Sequence, residues 1–116
     1  MTRDFRDYLD DMLDHAEKAI AFVGGMDWPQ FAGDEKTRFA VVRAVEIVGE
    51  AARRVPEDFR DSQPQIPWRR IIGMRNVLAH DYIGTNPRVV YDTVVIFLPE
   101  LISALRPLID GIGGDG

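Results

Sequence analysis

The stretch FRDYLDDMLDHAEKAIAFV, residues 5–23, sets the fold class. Its apolar residues are Phe5, Tyr8, Leu9, Met12, Leu13, Ala16, Ala19, Ile20 and Val23, recurring at spacings of three and four. That is the period of a helix with one dry face. Gly24 and Gly25 follow at once, as residues that readily end a helix. The loop MDWPQFAG, residues 26–33, then leads to a second helix expected to begin near Asp34, with Asp34 and Glu35 favourably placed against its N-terminal dipole. The apolar stripe of that helix is Val41, Ala44, Val45, Val48, Ala52 and Val55, widened by Ala40, Ile47 and Ala51. Pro56 stops it.

The segment PEDFRDSQPQIP, residues 56–67, holds three prolines, so it is a connector with at most one helical turn, around Glu57 to Asp61. Pro67 suits the first position of a third helix. Asn86 as N-cap and Pro87 after it start a fourth, expected to reach about Ile109 and to kink or split at Pro99. No alternating strand pattern and no repeat is present. The expected architecture is all-α: an up-and-down four-helix bundle over residues 1–110, with a proline-rich connector between helices 2 and 3. The tail GIGGDG, residues 111–116, is expected to be disordered.

A chain of 116 residues is one domain by length and can bury a core without a metal or disulfide staple. It has no cysteine, which removes disulfides, zinc–thiolate sites and thiol nucleophiles together. The charged N-terminus is no signal peptide, and no apolar run approaches the ~20 residues needed to cross a bilayer. A cytoplasmic protein with no membrane association is expected. A net charge of −5 argues against a general nucleic-acid coat. The charges are uneven, however. Acidic residues crowd the first helix, whereas Arg53, Arg54, Arg60, Arg69, Arg70 and Arg75 gather in the middle, where they could hold a short anionic ligand.

The third helix holds the residues that are either a site or a structural ion pair and cap. In WRRIIGMRNVLAHDY, residues 68–82, the residues Trp68, Ile71, Ile72, Leu78 and Ala79 share one sector of the helical wheel, with Arg75 at its centre. A buried guanidinium needs a carboxylate, a cleft or a ligand. Asn76 and His80 stand one turn apart on a neighbouring face flanked by Gly73, so the asparagine can orient the imidazole. Arg75 and His80 are about 140° apart on an ideal helix. They serve one site only if the arginine bends round, the helix ends at His80, or a second subunit faces the first. Glu46 and Glu50 of the second helix are available as ion-pair partners, and Glu50 also as an orienting group for Arg75. His15 has no cluster around it, and no trio of His, Asp and Glu has metal-ligand spacing.

The chain resembles the HepT-like toxins of the HEPN superfamily. The motif of arginine, four residues, histidine, one residue, tyrosine stands here as Arg75, His80 and Tyr82. IVGEAARRVP (47–56), IPWRRIIGMRNVLAHDY (66–82) and FLPEL (97–101) are similar to other parts of that family, in the same order. Asp81 departs from the small residue usual before the tyrosine and adds a negative charge. The resemblance implies a metal-independent endoribonuclease toxin, acting as a homodimer whose two motifs line one cleft, with Arg75 and His80 catalytic and Asn76 in support. It also implies a nucleotidyltransferase antitoxin that AMPylates Tyr82, as in a type VII-like toxin–antitoxin system. No cofactor is implied beyond ATP as AMP donor for that partner. The alternative is a non-catalytic helical bundle that binds a nucleotide or the nucleotidyltransferase, with Arg75 only gripping phosphate.

Overall fold

The computed structural model describes residues 4–80 and 86–114, apart from the side chains of 75–80 and 113–114. Among these residues every regular element is helical, as expected. The elements are α1 (Phe5–Val23), α2 (Trp28–Ala32), α3 (Glu35–Arg54), α4 (Glu57–Asp61), α5 (Trp68–His80), α6 (Pro87–Asp92), a π-helical segment (Thr93–Phe97) and α7 (Leu98–Gly114). Helices α1, α3, α5 and the run from α6 to α7 are the long members, and α2 and α4 are single turns in the connections.

Helix α1 begins where the Asp4 carboxylate accepts from the Arg6 N–H at 3.1 Å. It buries Leu9, Met12, Ala16, Ala19 and Val23, the middle of the stripe read from the sequence. Gly24 ends it at φ 56°, a left-handed conformation that costs glycine nothing, and its N–H reaches back to the Ile20 carbonyl. The stretch expected as loop 26–33 contains α2, started by a capping box in which Asp27 and Gln30 bond each other's backbone at 2.9 Å. Phe31, fully buried, pins this turn to the core.

Helix α3 starts at Asp34, whose carboxylate accepts from the Thr37 N–H at 3.0 Å. That hydrogen bond holds the Asp34 carboxyl below the usual carboxylate range. The helix stops at Arg54, ahead of Pro56, and α4 occupies the single turn foreseen in the connector. Phe59 of α4 meets Phe5 of α1 at 4.7 Å between ring centres. Helix α3 packs against both α1 and α5, and α1 also packs against α7. One apolar cluster joins these contacts.

The last helix starts at Asn86, whose side chain accepts from the Arg88 N–H at 2.9 Å. Proline 99 has no N–H, and in an α-helix its ring would collide with the Val95 carbonyl. The chain avoids this by widening into the π segment, in which the Leu98 N–H bonds Thr93, five residues back. The expected kink or split is therefore a π segment. Pro107 lies inside α7 on an exposed position and the helix continues past it. Residues 111–114, placed in the tail by the sequence reading, belong to α7, with Ile112 packed against the core and its carbonyl 3.5 Å from Arg6 Nη2. Three apolar turns earlier in α7 hold the helix down, which outweighs the weak propensity of its glycines.

Two measurements check this account. Phe31→Ala should cost about 3–5 kcal/mol in urea unfolding, because it removes a fully buried ring from the core. Asp34→Asn should lower Tm at neutral pH, where the carboxylate is charged. A group whose pKa is lowered by folding stabilises above its unfolded-state pKa and loses that contribution as pH falls through its folded value. The gap in Tm between wild type and Asp34→Asn should therefore close in acid.

Candidate active-site helix and its surroundings

Helix α5 carries the motif. Its start is fixed by Trp68, 8% exposed, whose indole N–H donates to the Gln63 carbonyl at 3.1 Å. Ile71 is fully buried, and Ile72 and Met74 are half-buried against the core. The face expected to be dry is thus dry at its start. The backbone is helical through Arg75, Asn76 and His80. Their side chains, and Tyr82 entirely, lie outside the described residues.

Facing α5 across the bundle is α3. There Arg43 stands 3.5 Å from Glu46 and 3.6 Å from Glu50, so both carboxylates proposed as partners for Arg75 already have a cation beside them. Glu46 is the less accessible, its side chain 20% exposed. A half-buried carboxylate is suited to hold an arginine.

Two clefts flank the N-terminal half of α5. One, of about 320 Å³, lies between α3, α5 and α6 and is lined among the described residues by Val45, Arg70, Gly73, Met74, Val89, Val90 and Thr93. Gly73 opens it: a methyl group built there would meet nothing within 4 Å. The other, of about 370 Å³, lies where the proline-rich connector meets α5 and is lined by Arg60, Asp61, Pro64, Ile66, Pro67, Trp68, Arg69 and Arg70. Arg70 borders both, its guanidinium 3.9 Å above the Phe97 ring.

Elsewhere, His15 is tied locally, its Nδ1 2.9 Å from the Asp11 carbonyl, and Lys18 bonded to Asp14 holds that carboxyl below its usual range. Among the described residues no group of three or more His, Asp or Glu could hold a metal ion. No helix of the described residues is long and apolar enough to cross a membrane. Two features escaped the sequence reading. Trp28, Phe31 and Tyr91 form an aromatic cluster that joins α2 to α6, and the Tyr91 hydroxyl donates to the Met26 carbonyl at 2.8 Å. Arg88 lies 5.2 Å above the Trp28 ring. The signal available for the first was the Asp27–Gln30 capping pair, which marks a helix in the supposed loop.

A helical fold with Arg75, Asn76 and His80 on one helix defines a class, and comparison with known proteins identifies it. The family model described as ribonuclease HepT-like matches residues 12–108. The chain belongs to this family. It is 42% identical over 101 residues to "Probable ribonuclease HepT" of Thermococcus cleftensis, covering 87% of this chain and 92% of that protein. It is 35% identical over 113 residues to "Putative RNase MJ0127" of Methanocaldococcus jannaschii, covering 97% and 93%. No solved structure matches the chain significantly.

Gly73→Ala should raise the stability of the protein by about 0.5–1 kcal/mol, since alanine is the better helix former and has room here. Chemical denaturation would show a loss instead if the space beside Gly73 were occupied in the folded chain.

Proposed function

We propose that this protein is a metal-independent endoribonuclease, the toxin of a toxin–antitoxin pair, with Arg75 and His80 as its catalytic residues. The observation that carries this reading is the family match across residues 12–108, which includes Arg75, Asn76, His80 and Tyr82. The names of its relatives, a probable ribonuclease HepT among them, support RNA as the substrate.

The residues suit the chemistry. The 2′-hydroxyl of the RNA attacks the adjacent phosphorus, its proton passing to a base, and the 5′-oxygen leaves with a proton from an acid. The products are a 2′,3′-cyclic phosphate and a 5′-hydroxyl, with no water consumed. His80 carries an imidazole, whose ordinary titration falls near neutral pH, so it can take up and deliver a proton there. Arg75 offers a planar pair of donors to the phosphate oxygens, where negative charge builds in the transition state. Asn76 orients His80 or binds phosphate, and Glu50, on the facing helix, helps to orient Arg75.

One histidine per motif fills one proton role, so the second belongs to the other copy in a homodimer or to water. Control follows from Tyr82. A nucleotidyltransferase antitoxin would move AMP from ATP to its hydroxyl, releasing pyrophosphate, and the bulky anionic adduct would exclude RNA by occupancy and repulsion. The protein would act in the cytoplasm and carry no cofactor of its own.

The test is cleavage of a mixed RNA pool in EDTA by protein whose intact mass shows no adduct. Wild type should leave cyclic-phosphate ends, and His80→Ala should cleave at least 100-fold more slowly with its Tm unchanged. Equal cleavage by both proteins would remove His80 from the mechanism. Inactivity of the unmodified wild type would remove the ribonuclease reading itself. Gly73→Ala should retain its fold and lose cleavage if the glycine leaves space for RNA beside Asn76 and His80.

A further inference from the structure

The cleft at the start of α5 is rich in arginine. Arg60, Arg69 and Arg70 line it with a single opposing carboxylate, Asp61. The chain as a whole is acidic, at −5. Among the described residues the arginines engaged in ion pairs are Arg43, Arg88 and Arg106, so none of the three in the cleft is neutralised by a carboxylate partner. Two of the three are held in place by uncharged groups. Arg60 donates from Nε to the Val55 carbonyl at 3.0 Å, which leaves its terminal nitrogens for another acceptor. Arg70 lies 3.9 Å over the Phe97 ring, a cation–π contact that engages the guanidinium without neutralising it. Pro64 and Pro67 stiffen the wall between them.

The helical register connects this cleft with the motif. On α5, Arg69, Gly73, Asn76 and His80 occupy positions within about 60° of one another, on one face of the helix. Arg69 stands about 16 Å before His80 along that face, at 1.5 Å per residue. A single strand laid along the face with its scissile phosphate near His80 would bring another phosphate, a few nucleotides away, to the arginines. Fixed, unneutralised guanidiniums at such a place favour a phosphodiester over a neutral or cationic ligand.

We propose that the Arg60–Arg69–Arg70 cleft is a backbone-phosphate subsite that grips the RNA strand away from the bond to be cut. This rests on the ribonuclease reading for the direction of the strand, while the subsite itself is a matter of binding. It supplies affinity and register without choosing a base.

The experiment measures binding of a long 2′-O-methyl RNA, which cannot be cleaved because it lacks the attacking hydroxyl, across a range of salt concentrations. Arg69 is the residue to change, because it is exposed at the cleft and lies outside the buried core. Arg69→Gln should weaken binding roughly tenfold at low salt and flatten the slope of log affinity against log salt by about 0.7, the value for one phosphate contact on a single strand. Arg69→Lys should keep the slope and lose only part of the affinity. A dinucleotide of the same backbone, too short to span the face, should bind both proteins alike. Unchanged affinity and slope in Arg69→Gln, beside His80-dependent cleavage, would overturn the subsite alone. Arg69-dependent binding by a protein that cuts no RNA would uphold the subsite and remove the ribonuclease. Failure of the wild type to bind the strand would overturn the subsite.

Discussion

Helix α3 fully buries Val41, Val45, Val48 and Ala52, and it does so against α1 on one flank and α5 on the other. No single partner can dry a stripe that wide, so α1 and α5 are positioned by the same small side chains. Valine and alanine keep the surface of α3 smooth and let its neighbours approach closely. The same helix carries the carboxylates of Glu46 and Glu50, each within 4 Å of Arg43. A substitution that loosens the valine stripe therefore acts on the packing of α1 and α5 together.

Charge is distributed by the same geometry. The acidic face of α1 is turned outward, where Asp14 pairs with Lys18, and Glu17 with Arg106 of α7. The arginines, by contrast, collect where α3 ends, the connector turns and α5 begins. An acidic protein can bind a polyanion only through such a local excess, and the repulsion of its other faces helps to confine the strand to it.

Much of this was legible beforehand, for reasons that differ from element to element. Helices α1 and α3 are long enough for a 3.6-residue period to show, and α4 was bounded by Pro56 on one side and Pro64 on the other. Helix α2 was read as loop because five residues cannot display a period, and its signature was the capping pair alone. The π segment was only half legible: Pro99 announced that the α-helix could not continue unchanged, but not that the backbone would answer by widening upstream. At the site, the motif was readable as a pattern of residue types. The arginine cleft was not, since Arg60 and Arg69 are related by no helical period. They meet because the connector folds back on the start of α5.

The π segment also divides the last helix into parts of unequal persistence. Its bonds span a wider ring, Pro99 withholds a donor, and Val95 and Ile96 stand 40% and 61% exposed on its outer side. Beyond it, α7 is fastened to α1 through fully buried Leu98 and Leu105. Before it, α6 rests on the aromatic cluster and on one wall of the apolar cleft. Amide protons of Thr93–Phe97 should accordingly exchange with solvent faster than those of α7. Helix α6 is thus held by α2, α3 and the π segment, a set of neighbours distinct from the α1 contact that holds α7.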